Sequence, residues 1–190
     1  MTGPLVIAVL CVFVWLFDEQ LGEYLSLNQS TIQANFYWSF ITANLLHTNT
    51  AHLLLNLGGL SLLWAIHGYS YTVTNYLIQF LYFSLAVTLG MAFLSNNFAW
   101  YVGLSGVLHG TFIVGAYQDI RHRIKFGWWL MLGVWIKIIY EQVIGADENL
   151  QSLIEAQVAV DAHLYGAIAG SLWIGGRLVL NQNNRSTPKN

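Results

Sequence analysis

Gly103-Leu104-Ser105-Gly106-Val107-Leu108-His109-Gly110 sets a serine among glycines at the head of an apolar run. A serine hydroxyl is a weak nucleophile until a base takes its proton. Two other polar clusters offer partners for it: His47, His52 and Asn56, and Asp161-Ala162-His163 followed by Gly166 and Gly170. Each cluster opens an apolar segment. Fold and function therefore turn on whether these openings lie on one side of a membrane.

The solvent is set by composition. Hydrophobic residues make up 56% of the chain and charged residues only 8%, against roughly 25% charged in soluble domains. Eight Trp and ten Tyr add rings suited to membrane interfaces. The length of 190 residues leaves no room for a membrane part and a sizeable soluble domain together, so a single membrane domain over 1–190 is expected. A net charge of −2 says little about partners, and no run of Lys/Arg is large enough to suggest nucleic acid. One cysteine, Cys11, offers neither a disulfide framework nor a zinc site, and no cofactor is implied.

The fold class expected is all-α, a polytopic membrane protein of six transmembrane helices. The apolar segments run over about 4–17, 50–67, 75–94, 105–117, 127–144 and 160–180, with a polar tail at 181–190. The first is short for a span of about 20 residues. It lacks both the positive flank and the small-residue cleavage site of a signal peptide, and reads as a retained span. Phe36-Tyr37-Trp38 reads as a loop at the interface, and Ser95-Asn96-Asn97 as a turn. Arg121, Arg123, Lys125, Arg177, Arg185 and Lys189 fall on the side reached after an even number of spans. By the positive-inside rule that side, with both termini, is cytoplasmic. Spans two, four and six then descend from the outer face, and their N-terminal ends carry His52/Asn56, Ser105 and Asp161/His163 at one depth.

Gly106/Gly110 and Gly166/Gly170 are each a G-x-x-x-G pair, a spacing that lets helix backbones approach closely in lipid. His163 precedes Gly166 by three residues and shares its face, while His109 lies one turn beneath Ser105. Close approach of spans four and six would bring Ser105 and His163 within hydrogen-bond reach. Each cluster also has a plainer reading. Ser105 suits a helix cap, His163 a backbone hydrogen bond, and His52 with Asn56 interhelical polar packing. Polar groups inside a membrane are costly, however, and their coincidence in depth favours a site. A metal centre of His47, His52 and His163 is a rival that lacks an H-E-x-x-H and leaves the serine unexplained. The G-x-S-x-G elbow of soluble hydrolases is absent, since position 107 is Val.

The sequence resembles the rhomboid family of intramembrane serine proteases along essentially its whole length. The resemblance rests on His47-x4-His52-x3-Asn56, on Gly103-Leu104-Ser105-Gly106, and on Ala162-His163-x2-Gly166-x3-Gly170. It implies Ser105 as nucleophile and His163 as general base, with no acidic third member. It also implies an oxyanion hole from His52, Asn56 and the Ser105 N–H. Asp161, at i−2 from His163, points away from it and reads as the N-cap of the sixth span.

Two departures mark the chain within that resemblance. Trp38 is followed by Ser39 where the best-known members have Arg, and His109 stands where they have a Tyr that stacks on the histidine. His109 is expected to stack on His163 or to bond it. With the bare six-span layout these departures make the chain similar to rhombosortases. That subgroup processes exported proteins with a C-terminal Gly-Gly motif, a transmembrane helix and a basic tail. The resemblance implies the inner membrane of a Gram-negative bacterium, a site open to the periplasm, and transmembrane proteins and membrane lipid as partners.

Lys137 and Glu141, one turn apart in the fifth span, are open to two readings: mutual neutralisation or snorkelling, or a contact of Lys137 with the substrate. Two further classes stay open. A rhomboid-like binder of transmembrane helices that does not cut them would not need Ser105 and His163. A proton-relay transporter would need its polar residues strung across the membrane.

Overall fold

The computed structural model describes residues 2–96 and 98–186. Asn97 of the expected turn and Lys189 of the expected tail lie outside these. Helix α1 is Gly3–Leu16 and α2 is Asp18–Leu25, with α3 at Gln29–Gln33 and α4 at Ser39–Thr42. The long helices follow: α5 Thr50–His67, α6 Val73–Leu94, α7 Ser105–Arg121 and α8 Gly127–Ile144. Short α9 (Glu148–Ile154) precedes α10 (Val160–Ser186).

The structure differs from the sequence reading in several places. Helix α7 continues past Tyr117 to Arg121, and α10 continues past Leu180 to Ser186, so the head of the expected polar tail is helical. Hydrogen bonding along a helix does not stop where hydropathy falls. The protein is mostly rather than wholly helical, because Leu27–Asn28 (β1) pairs antiparallel with Trp100–Tyr101 (β2). Asp161 is not a cap either: it lies inside the first turn of α10, where its charge still suits the positive end of the helix dipole.

Among the described residues, two helical stretches suffice by length and composition to cross a membrane, Thr50–Ser70 and Val73–Leu94. There are up to four if each bent pair counts as one span; α1 with α2 bends by 110° and α8 with α9 by 90°.

Burial is arranged as lipid demands, with apolar side chains outside as well as in. Leu54, Leu62, Phe93, Leu94, Trp128, Trp129, Ile136 and Ile139 are all exposed. Helix α7 is the central post. Its Val107 and Leu108 join Ile7 and Cys11 of α1, Leu53 and Leu60 of α5, and Phe80 and Phe83 of α6 in one core. On its other side Ile113 packs with Val134 and Ile138 of α8 and Ala167 of α10.

Among the described residues the α7–α10 contact is the most extensive, and glycines make it possible. A Cβ at Gly166 would overlap the Gly106 carbonyl oxygen, one at Gly110 would come within 2.8 Å of Gly166 O, and one at Gly170 within 2.7 Å of Gly110 O. Backbone therefore meets backbone along two turns, a spacing that only glycine permits.

Candidate active site

The approach to Ser105 is set by a pinned turn. Gly103 has φ +128°, a conformation that only glycine adopts readily, and a Cβ there would sit 3.0 Å from the His52 ring. Its N–H donates to Ala43 O at 3.0 Å, and its carbonyl accepts from the buried Tyr101 hydroxyl at 2.8 Å. The β1–β2 pairing holds Tyr101 in place. Ser105 then becomes the first residue of α7, preceded by Leu104 at the N-cap. It is not the cap that one sequence reading allowed. Its amide lies where helix N–H groups have no intrahelical acceptor and the dipole favours negative charge.

Ser105 Oγ and His163 Nε2 are 2.9 Å apart. The other ring nitrogen, Nδ1, lies 2.8 Å from Glu141 Oε2. A carboxylate can only accept, so Nδ1 carries the proton, and Nε2 is left to accept from the serine hydroxyl. That is the protonation state a general base requires. His163 is 4% and Glu141 8% exposed, so bulk water competes little for either contact.

Glu141 reaches His163 because Val134, Ile138 and Glu141 follow at i, i+4 and i+7 along one face of α8. The first two are packed in the core shared with α7 and α10. Its second oxygen, Oε1, accepts from Lys137 Nζ at 2.7 Å. Lys137 in turn lies 3.2 Å from His109 Nε2, and His109 Nδ1 donates to Ser105 O at 2.8 Å. The polar groups thus form a closed circuit from the Ser105 hydroxyl back to the Ser105 carbonyl. His109 also stacks on His163, with ring centroids 4.1 Å apart and planes inclined by 22°, so the imidazole is held by face as well as by edge.

His109, Glu141 and His163 place one ligand atom each within 4.8 Å of one another, a donor set suited to a divalent ion. The Lys137 ammonium already contacts two of the three. The sequence-level metal set of His47, His52 and His163 does not coincide with this one.

The second cluster is organised by the start of α5. Asn49 caps the helix, its Oδ1 accepting from His52 N at 2.9 Å. The Thr48 N–H donates to His52 Nδ1 at 3.3 Å, which leaves Nε2 protonated and free to donate. His52 and Ser105 line one small cavity of about 60 Å³, roofed by Ile154 and Ala156–Ala159. One turn further along α5, Asn56 is 4% exposed, and its Nδ2 has no hydrogen-bond partner among the described residues. Such a buried donor ordinarily costs about 1–3 kcal/mol. His47 stands edge-on to His52 at 5.0 Å. In the loop ahead of α5, burial and then the neighbouring His52 lower its pKa to about 3, so it is neutral.

The structure therefore brings together Ser105, His163, His109 and His52, with Gly106, Gly110, Gly166 and Gly170 at the helix contact and Gly103 at the turn. Glu141 is the residue sequence reasoning misplaced. It is legible as an ionisable group inside an apolar segment, but the chain pattern pairs it with Lys137 or lets the two snorkel, and gives no sign of His163. The resemblance implies no acidic third member; the α8–α10 packing nonetheless sets a carboxylate against His163 Nδ1.

Fold and site together define a multi-pass helical membrane protein with a serine hydroxyl bonded to an imidazole across two helices. The Rhomboid domain family model matches residues 34–178, and the chain belongs to the rhomboid family. Proteins of this family are intramembrane serine proteases that act on transmembrane substrates. A search of the curated proteins finds no match to the chain.

Proposed function

We propose that this protein is an intramembrane serine endopeptidase with Ser105 as nucleophile and His163 as general base. The observation that carries the reading is the 2.9 Å contact between Ser105 Oγ and His163 Nε2. In this reading His163 takes the serine proton as Oγ attacks a substrate carbonyl, then passes it to the leaving amine. The Ser105 N–H, His52 Nε2–H and Asn56 Nδ2 converge on the developing oxyanion. Each such donor is worth on the order of 10²–10³-fold in rate. The unpartnered Asn56 Nδ2 favours that role over ordinary interhelical packing.

The reading extends to a single membrane domain with six spans (α1, α5, α6, α7, α8 and α10) in the inner membrane of a Gram-negative bacterium. The site opens to the periplasm and both termini are cytoplasmic. Arg121 and Arg177 line one cavity, and Arg123 and Lys125 lie in the loop after Arg121, which favours this orientation. Ser39 and His109 favour a rhombosortase-like specificity, for exported proteins with a C-terminal Gly-Gly, an apolar helix and a basic tail. Glycines near the outer end of such a helix ease the local unwinding that exposes a carbonyl.

Co-expression with a single-span reporter carrying that tail tests both levels. Cleavage by the wild type, its loss in Ser105→Ala and His163→Ala, and fluorophosphonate labelling that vanishes in Ser105→Ala are expected. Full cleavage by either variant would remove the Ser–His assignment. Equal cleavage of a reporter without Gly-Gly would remove the rhombosortase-like specificity alone.

A further inference from the structure

We infer that Glu141 is a positioning residue for His163, the third member of a Ser105–His163–Glu141 triad, and that Lys137 decides which atom it shows to the ring. The inference rests on the protease reading above and deepens it. Three observations carry it. Glu141 Oε2 lies 2.8 Å from His163 Nδ1, on the nitrogen opposite the one facing Ser105. Glu141 comes from α8 and His163 from α10, so the contact is not an accident of neighbouring positions on one helix. The carboxylate is buried, and its second oxygen is committed to Lys137 at 2.7 Å.

An imidazole alone in this site is free to carry its single proton on either nitrogen. With the proton on Nε2 it cannot accept from Ser105. Glu141 removes that alternative, since a carboxylate offers only acceptor atoms to Nδ1. It also faces the positive charge that forms on the ring when the serine proton arrives. Lys137 keeps the carboxylate charged where water is scarce. Because it neutralises the pair, the directional effect on the ring outweighs the net electrostatic one. Stacking by His109 holds the ring plane in which both hydrogen bonds are made.

This division of labour gives an uncommon result for an isosteric change. In Glu141→Gln the Lys137 ammonium, a donor only, takes the amide oxygen and leaves the NH₂ facing His163 Nδ1. The ring must then accept at Nδ1 and carry its proton on Nε2, the unproductive form. The expected loss is on the order of 10³–10⁴-fold in kcat with KM nearly unchanged. Removing the lysine as well lets the amide turn its oxygen to the ring, so Lys137→Met/Glu141→Gln is expected to be at least tenfold more active than Glu141→Gln. Glu141→Asp, which keeps an acceptor at shorter reach, is expected to retain more activity than Glu141→Gln.

The experiment measures cleavage of the Gly-Gly single-span reporter by the full chain in proteoliposomes, with Ser105→Ala as the zero. If Ser105→Ala still cleaves, the protease reading fails. If Ser105→Ala is inactive while Glu141→Gln keeps kcat within twofold of wild type, the triad alone is overturned. It is overturned too if the double variant is no better than Glu141→Gln. Should Glu141→Gln not fold, the wild type carries the test. A downfield Nδ1–H proton signal, lost in His163→Asn, is expected of the carboxylate contact, and its absence refutes it.

Discussion

Gly166→Ala tests the geometry on which the site depends. An alanine Cβ at Gly166 overlaps the Gly106 carbonyl oxygen and lies 2.8 Å from its carbon, whereas carbon atoms in contact settle at about 3.5–4.0 Å. Both sides are backbone inside helices, so neither can turn away; α7 and α10 must part by roughly 0.8 Å to restore the carbon–carbon distance alone, and by upwards of about 1 Å to clear the carbonyl oxygen. His163 is less than one turn from Gly166, and Ser105 is next to Gly106. The separation therefore passes almost undiminished to the 2.9 Å Ser105–His163 contact, stretching it past roughly 3.7 Å, beyond hydrogen-bond range. A displacement near 1 Å in a reacting pair costs on the order of 10²-fold in rate. Stability changes less, because overpacking costs about 1–3 kcal/mol and replacing a helical glycine by alanine returns about 1 kcal/mol.

Gly133→Ala on α8 is the control, since a Cβ there meets nothing within 4 Å. It is expected to leave cleavage intact and to stabilise slightly. The assay pairs reporter cleavage in proteoliposomes with thermal unfolding in detergent. Gly166→Ala cleaving as fast as wild type, or Gly133→Ala losing as much activity, would refute the claim that backbone contact sets the Ser–His distance.

Two further outcomes follow from the α5 cluster. Asn56→Ala should lower kcat by about 10²–10³-fold. It should leave the melting temperature unchanged or slightly raised, because the Nδ2 it removes has no partner among the described residues; a large drop in melting temperature would instead mark Asn56 as packing. His47 is held neutral in the fold, with its pKa lowered to about 3, below the unfolded value near 6.5. The stability tied to its neutral form is thus complete above the unfolded value and is lost as pH falls. The loss amounts to about 2 kcal/mol by pH 5. His47→Phe should flatten that dependence between pH 7 and 5 in detergent melts, and an unchanged slope would assign the acid sensitivity to other groups.

Much of this protein is written in one-dimensional pattern. Apolar segments and sparse charge identify a helical membrane protein, because lipid admits few alternatives to a helix whose backbone bonds are satisfied internally. The paired G-x-x-x-G motifs mark where two helices touch, since small residues at that spacing have few other uses in lipid. Ser105, His52 and His163 were legible as openings of apolar segments. The β1–β2 ribbon was not, because two residues pairing across a long stretch of chain leave no periodicity to read.

Glu141 shows most clearly where local reading stops. Along the chain its nearest opposite charge is Lys137, one turn away, and that contact is indeed made. Its second contact, to His163 Nδ1, depends on the angle and register at which α8 meets α10, and these are set by Ile113, Val134, Ile138 and Ala167 packing together. By itself the sequence determined the solvent, the helical segments and the residue types able to do chemistry. Only the tertiary structure decided which nitrogen of which histidine faces the serine and which faces a carboxylate. Hydrogen bonds are made at atomic range and in one direction, while sequence pattern specifies position only to within a helical turn and a face.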